Sequence, residues 1–398
     1  MSLLLAFGLV LMVAVLLSEH AQRTVLSTSV VFLLAGVAIG RSGFQAVGYE
    51  ANDATMHFFA ELALFGILFV EGAELPLRKL SGAWRLPGRA LLLGMPLTAG
   101  SIALAGHLLT GMTWLEAFLV GAILSPTDPT LVSSLLQGEA VPARLRQLLA
   151  VESGLNDGLA LPVVMILLDV VRHQEPRLWS TLGEGVLGIG LGVVVSVAFI
   201  WLERRSFLGA SDRYRALGGI AIACTVYSMS DLLHANGFLA AFASGVTLAT
   251  MHEPMATALR ALGDPVTEAL KLAALLIFGA ILSVPQLLAT GARGLGFALA
   301  ALLIARPLAL ALALGKGGLT RPEWFAAAWF GPKGFASLLY AMFLLQLGVP
   351  RGYWLFQLVA LVIVLSILAH SSTDVLVRRR FSRRRDEQAE SASDRPQP

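Results

Sequence analysis

Residues 152–162 read "ESGLNDGLALP". Glu152, Asn156 and Asp157 stand in a run that is otherwise apolar enough to lie in lipid. An ionisable side chain at mid-membrane costs about 2.5–3.5 kcal/mol on insertion scales, so two carboxylates in one stretch demand a reason. On a helix Glu152 and Asn156 share one stripe, and Ser153 and Asp157 share the next. Together they make a polar face about 140° wide. Ser or Asn alone could build a helix-packing seam, which makes carboxylates an expensive way to make one.

The surrounding chain supports burial in a membrane. It has 398 residues, 56% hydrophobic and 14% charged, against about 25% charged in soluble domains. Spans of roughly 20 apolar residues are expected at 3–18, 23–40, 55–74, 87–108, 113–136, 143–171, 181–203, 214–232, 235–251, 264–284, 292–315, 322–347 and 352–377. The fold class is therefore all-α, a polytopic bundle of about thirteen transmembrane helices. The alternation of an outer-membrane barrel does not occur. The run Leu3–Leu17 lacks a basic leader and an A-x-A cleavage pattern, so it is read as a span. Residues 378–398 are expected to form a basic, then disordered, cytoplasmic tail.

Basic residues orient the bundle. With the tail cytoplasmic, 14 Lys and Arg before the tail fall in loops on its side, among them Arg144, Arg260 and Arg321, and 5 fall on the other, among them Arg293 and Arg351. The positive-inside rule then places the N-terminus outside and the C-terminus in the cytoplasm of an inner-membrane protein. A nucleic-acid partner is not expected, because the positive charge serves this asymmetry.

Three further features join the opening stretch. "SPTDPT" (residues 125–130) puts two prolines three apart in span five, removing backbone donors and breaking the helix near Thr127 and Asp128. "GPKG" (331–334) breaks span twelve around Lys333. Irregular backbone at membrane depth is tolerated only where it lines a cavity or is buried in protein. Paired breaks in corresponding halves point to an inverted-repeat transporter, although the halves show no residue-level repeat. Arg306, near the middle of span eleven, cannot shed its proton and must meet a carboxylate, with Glu152 and Asp157 as candidates.

Other charges invite plainer readings. Glu71 and Glu74 are expected to pair with the basic loop after span three, and Glu268 with Lys271 on one helix. The histidines show no ligand spacing, and no hydrolase or P-loop motif occurs. Neither an enzyme nor a cofactor is expected.

The combination of "SPTDPT", "ESGLND" about 25 residues later, Arg306 and "WFGPKG" resembles the monovalent cation/proton antiporter superfamily. The nearest branch is that of the bacterial and eukaryotic Na⁺/H⁺ exchangers carrying an Asn-Asp pair. The resemblance implies an inverted-repeat fold with crossed, discontinuous spans five and twelve. It implies a homodimer in which spans 1–3 and 8–10 form the dimer part, spans 4–6 and 11–13 the core, and span 7 the link. By motif, Asp157 matches the carboxylate that binds cation and proton in turn, with Asp128, Thr127 and Ser153 as further ion ligands. Asn156 matches the Asn of electroneutral members, and Glu152 and Arg306 a buried structural pair. Lys333 stands in a Gly-Pro-Lys-Gly break where the branch commonly has Gly-Leu-Arg-Gly, and Gly154 replaces a Leu. The expected activity is electroneutral, one-for-one exchange of Na⁺, with Li⁺ or K⁺ as further candidates, for H⁺, cation and proton competing for Asp157. A passive cation channel lined by the same carboxylates and an intramembrane aspartyl protease using Asp128 with Asp157 are the alternatives.

Overall fold

The computed structural model describes residues 3–23, 27–45, 54–77, 85–128, 140–173, 178–205, 209, 211, 214–315 and 318–393. Every regular element among them is helical. In chain order these are α1 (Leu3–Arg23), α2 (Thr28–Ile39), α3 (Ala54–Ala73), α4 (Arg85–Thr110), α5 (Trp114–Leu124), α6 (Ala143–His173), α7 (Leu178–Glu203) and α8 (Arg215–Leu232). There follow α9 (Gly237–Met251), α10 (Glu253–Ile281), the short α11 (Val284–Ala289), α12 (Gly291–Leu314), α13 (Arg321–Trp329), α14 (Phe335–Gln346) and α15 (Gly352–Ser393). Segments of α4, α6, α7, α12 and α15 are long and apolar enough to cross a membrane.

Several helix starts follow from local chemistry. Ser27 and Asn236 cap α2 and α9 by accepting the N–H groups of Val30 and Leu239. Thr113 opens α5 and Thr320 opens α13, each through a reciprocal Thr-x-x-Glu capping box, with Glu116 and Glu323 as the acidic members. α5 and α13 therefore begin with the same device.

Both proline-bearing motifs end a helix. α5 ends at Leu124, and residues 126–128 are irregular; Pro129 and Thr130 lie outside the described residues. α13 ends at Trp329 and α14 begins at Phe335, with Phe330–Gly334 irregular between them.

A residue-level repeat emerges once the helices are seen. α4 carries a π turn at Ala90–Gly94 followed by Met95-Pro96, and α12 one at Ala301–Ala305 followed by Arg306-Pro307. A helical proline clashes with the carbonyl four residues back. For Pro96 and Pro307 those carbonyls belong to Leu92 and Leu303, the middle residue of each π turn, so the wider turn relieves both clashes.

Packing brings α2, α3 and α8 against α10, with α9 between α3 and α7, while α4 packs on α5 and α12, α6 on α5, and α14 on α15. Gly72 of α3 faces Gly245 of α9, and a Cβ on either would strike the facing backbone. Small residues let helices approach closely where lipid gives no hydrophobic drive.

Two boundaries differ from the sequence expectation. α10 starts well before the expected 264, because His252 caps it by accepting the Met255 N–H at 3.2 Å and the helix runs through Pro265. Its first turns bury Met255, Ala256 and Leu259, an amphipathic segment that an apolar window overlooks. The tail expected to be disordered continues α15 through Ser393. Between Arg378 and Ser393 it has no Pro or Gly, and Arg, Glu, Gln and Ala, all good helix formers, predominate.

Candidate functional site

The site forms where α6 passes the two breaks. Thr127, in the irregular stretch after α5, receives the Asn156 amide on its hydroxyl at 2.7 Å and on its carbonyl at 3.3 Å. Its hydroxyl also lies 3.0 Å from that of Ser153. Thr127, Ser153, Asn156 and Asp157 are all buried. Tyr340 of α14 donates to the backbone carbonyl of Asp157 at 2.9 Å, fixing that turn of α6 against the second broken span. One carboxylate oxygen of Asp157, Oδ1, is buried with no hydrogen-bond partner among the described residues. A buried, unsatisfied acceptor of this kind costs about 1–3 kcal/mol or more when charged, and a proton or a cation would satisfy it.

Asp128 joins the breaks to each other. Its N–H donates to the Pro332 carbonyl at 2.9 Å, and its Oδ2 accepts the Phe335 N–H at 3.0 Å, so it caps α14 from the other half of the chain. Gly334 makes this possible, since a Cβ there would collide with the Asp128 carboxylate. Ser337 closes the contact by donating to the Ile123 carbonyl at 2.7 Å. Lys333 is fully buried, with its Nζ 3.5 Å from the Pro126 carbonyl and its backbone N–H on Ser366 at 2.7 Å. His370 supports this side, reaching the Ser366 and Trp329 carbonyls at 2.8 and 2.9 Å. The negative dipole ends of α5 and α13 would favour a protonated amine at this position.

Arg306 is committed elsewhere. Its two terminal nitrogens donate to the two oxygens of Glu152 at 2.6 and 2.9 Å, and its Nε to the Ala327 carbonyl at 3.0 Å. Both partners are buried, and Gly331 leaves the space the guanidinium fills. The charges of this fork cancel locally.

The expected pairings of Glu71 and Lys271 are corrected. Lys271 donates to Glu71 across α10 and α3 at 2.9 Å, rather than to Glu268 on its own helix, and Glu71 meets Lys271 rather than the basic loop. The direct packing of α10 against α3 brings them together. This pair acts electrostatically on Asp157, as does Asp128. It lines a cavity of about 600 Å³ with Glu74, Glu253, Asp264, Glu268 and Arg260, which reaches Val151 and Gly154 of α6. The wall carries more acid than base, which concentrates cations there.

Sequence reasoning also missed two outer contacts. Glu116 is met by Arg351 at 3.2 Å, and Glu323 by Arg144 at 2.8 Å. The Thr-x-x-Glu spelling at 113–116 and 320–323 signalled the two glutamates as helix caps, whereas no local pattern signalled their arginine partners.

A fold whose described elements are all helical, with buried side-chain oxygens gathered where two helices end in irregular backbone, has the construction of a membrane transporter. The chain belongs to the family described as sodium/hydrogen exchanger, transmembrane, whose profile matches residues 8–378. It is 25% identical over 371 residues to the K(+)/H(+) antiporter NhaP of Alkalimonas amylolytica, covering 92% of this chain and 64% of that protein. It is 27% identical over 380 residues to the K(+)/H(+) antiporter NhaP2 of Shewanella oneidensis, covering 94% and 66%. The chain thus spans about two thirds of the length of these curated relatives. Its fold is similar to that of the sodium proton antiporter MjNhaP1 from Methanocaldococcus jannaschii, with a TM-score of 0.76 at 18% identity, covering 95% of this chain and 97% of that one.

Proposed function

We propose that this protein exchanges a monovalent cation for a proton by alternating access, one for one and without net charge movement. The observation that carries the reading is the state of the buried charges. Glu152 is closed at both oxygens by Arg306, Glu71 is charge-paired with Lys271 through Oε1 while its Oε2 has no partner among the described residues, and one Asp128 oxygen is committed to the Phe335 N–H. Asp157 has no ion pair among the described residues and keeps a buried oxygen without a partner, one turn along α6 from Ser153, whose hydroxyl meets that of Thr127.

An uncompensated charge is expensive in a low-dielectric interior, so the empty carboxylate resists the passage between faces. Either a proton or a cation neutralises Asp157 and lifts that barrier. Because both occupy one carboxylate, they exclude each other, and exclusion is the coupling. Asn156 holds the Thr127 carbonyl and hydroxyl without adding a second proton carrier. The donor set is oxygen only, which suits hard cations; Na⁺, Li⁺ and K⁺ are the candidates, and the names of the relatives support K⁺ and Na⁺ alike.

Around this site we read thirteen spans with the N-terminus outside, in an inner membrane, the acidic cavity opening on the cytoplasmic side beside Arg260. A homodimer in which spans 1–3 and 8–10 carry the partner contact, while spans 4–6 and 11–13 move with the ion, completes the reading. In proteoliposomes holding a pH gradient, addition of Na⁺, Li⁺ or K⁺ in turn should collapse the gradient for the wild type and leave it intact for Asp157→Asn. Cation-driven collapse by D157N would overturn the reading.

A further inference from the structure

Thr320, Glu323 and Arg351 repeat Thr113, Glu116 and Arg144 at one constant separation along the chain. Each Thr-x-x-Glu opens a broken span, and each arginine stands where the span after a broken one begins, Arg144 at the start of α6 and Arg351 directly before α15. The pairing is exchanged between the halves. Glu116 of the first half is held by Arg351 of the second, and Glu323 of the second by Arg144 of the first. A two-fold relation requires this crosswise pattern, as in any self-complementary contact.

The chemistry matches in kind. Glu116 is 6% exposed and accepts the Thr113 N–H at 2.8 Å; Glu323 is 1% exposed and accepts the Thr320 N–H at 2.7 Å. Each buried glutamate thus holds its own helix start and, with its remaining capacity, one arginine. The arginine side chains are 52% exposed at Arg144 and 48% at Arg351, so each contact lies at the rim of the protein. Arg144 is also anchored by its Nη1 on the Gly318 carbonyl at 2.6 Å, and Arg351 by stacking over Trp354 at 4.1 Å.

We infer that these are two copies of one latch, one at each face of the membrane, which position the two breaks against each other and so set the geometry of the cation site. The inference rests on the cation/proton exchange proposed above. The lever is the broken helix itself. α5 has 11 residues and α13 has 9, rods of roughly 16 and 13 Å at about 1.5 Å per residue. A rod held at its capped end delivers its other end to a set depth. For α5 that end is Thr127 and Asp128, and for α13 it is Pro332 and Lys333. The contacts there leave little slack, with Asp128 bonded to both Pro332 and Phe335. Glu116, Glu323, Arg144 and Arg351 are therefore positioning residues, remote from the ion.

Two measurements test this. In a Cys224→Ser background, Arg144→Cys and Arg351→Cys should react with a membrane-impermeant maleimide from opposite sides, R351C in intact cells and R144C only after permeabilisation. Labelling of both from one side overturns the two-fold relation. In proteoliposomes, Arg144→Met and Arg351→Met should each raise the apparent KM for the cation several-fold more than they lower the maximal rate, and R351K should recover much of the affinity. Unchanged KM in both methionine variants overturns the positioning role, since loss of a purely structural contact would lower the amount of active protein and not KM. If either fails to fold, R144Q and R351Q, which keep a donor without the charge, are read by the same criterion. A wild-type protein that shows no exchange overturns the carrier reading, and the labelling result then decides the latch by itself.

Discussion

Replacing Arg306 by Met keeps much of the side-chain volume and removes three hydrogen bonds, two to Glu152 and one to the Ala327 carbonyl. Counting each charge-assisted bond at about 1.5–3 kcal/mol would overstate the loss, because forming the pair also costs desolvation of both ions. The relevant quantity is the price of stranding Glu152, which is 4% exposed. Removing one member of a buried pair costs about 3–5 kcal/mol, a large share of a typical net stability of about 5–15 kcal/mol. Glu152→Gln should cost a similar amount by stranding Arg306. The double variant E152Q/R306M leaves neither charge of this pair stranded, so its loss should fall short of the sum of the singles by at least about 2 kcal/mol. Unfolding of the purified protein in detergent, followed by tryptophan fluorescence through a denaturant series, measures all four corners of the cycle. Additive losses, or an R306M protein as stable as the wild type, would refute the account of this pair.

Other substitutions probe the remaining contacts. Gly334→Ala places a Cβ against the Asp128 carboxylate, so α14 should lose its cap at a cost of about 0.5–2 kcal/mol and transport should fall; wild-type melting and transport would show the cap to be dispensable. Lys271→Met strands Glu71 beside the cavity, and E71Q/K271M should restore stability lost by the single variant, an expectation refuted if the double is the less stable of the two. Thr127→Val removes the hydroxyl shared by Asn156 and Ser153 and should lower apparent cation affinity about tenfold, at about 1.4 kcal/mol. Unaltered affinity in T127V would remove that hydroxyl from the site.

What the sequence made legible was set by cost. Charges within apolar runs are rare because they are expensive, so Glu152, Asp157, Arg306 and the two proline-bearing breaks stood out against their surroundings. Lys271 did not, because Glu268 three residues away offered a local partner, whereas Glu71 is distant in the chain and comes near only through the packing of α3 on α10. The extension of α15 was hidden by a polar composition that suits both a disordered tail and an exposed helix. The contact of Asp128 with Phe335 depends on two irregular segments meeting, and no local pattern encodes their meeting. The capping boxes at Thr113 and Thr320 were fully written in the sequence. Their pairing with arginines of the opposite half required the fold.

Competition for one carboxylate is the central claim, and proton release on cation binding measures it directly. Purified protein in weakly buffered detergent solution, followed with a pH indicator, should release up to about one proton per chain when Na⁺, Li⁺ or K⁺ is added. The same addition to D157N should release none. Cation binding by the wild type without proton release, or equal release by D157N, would contradict a shared site at Asp157.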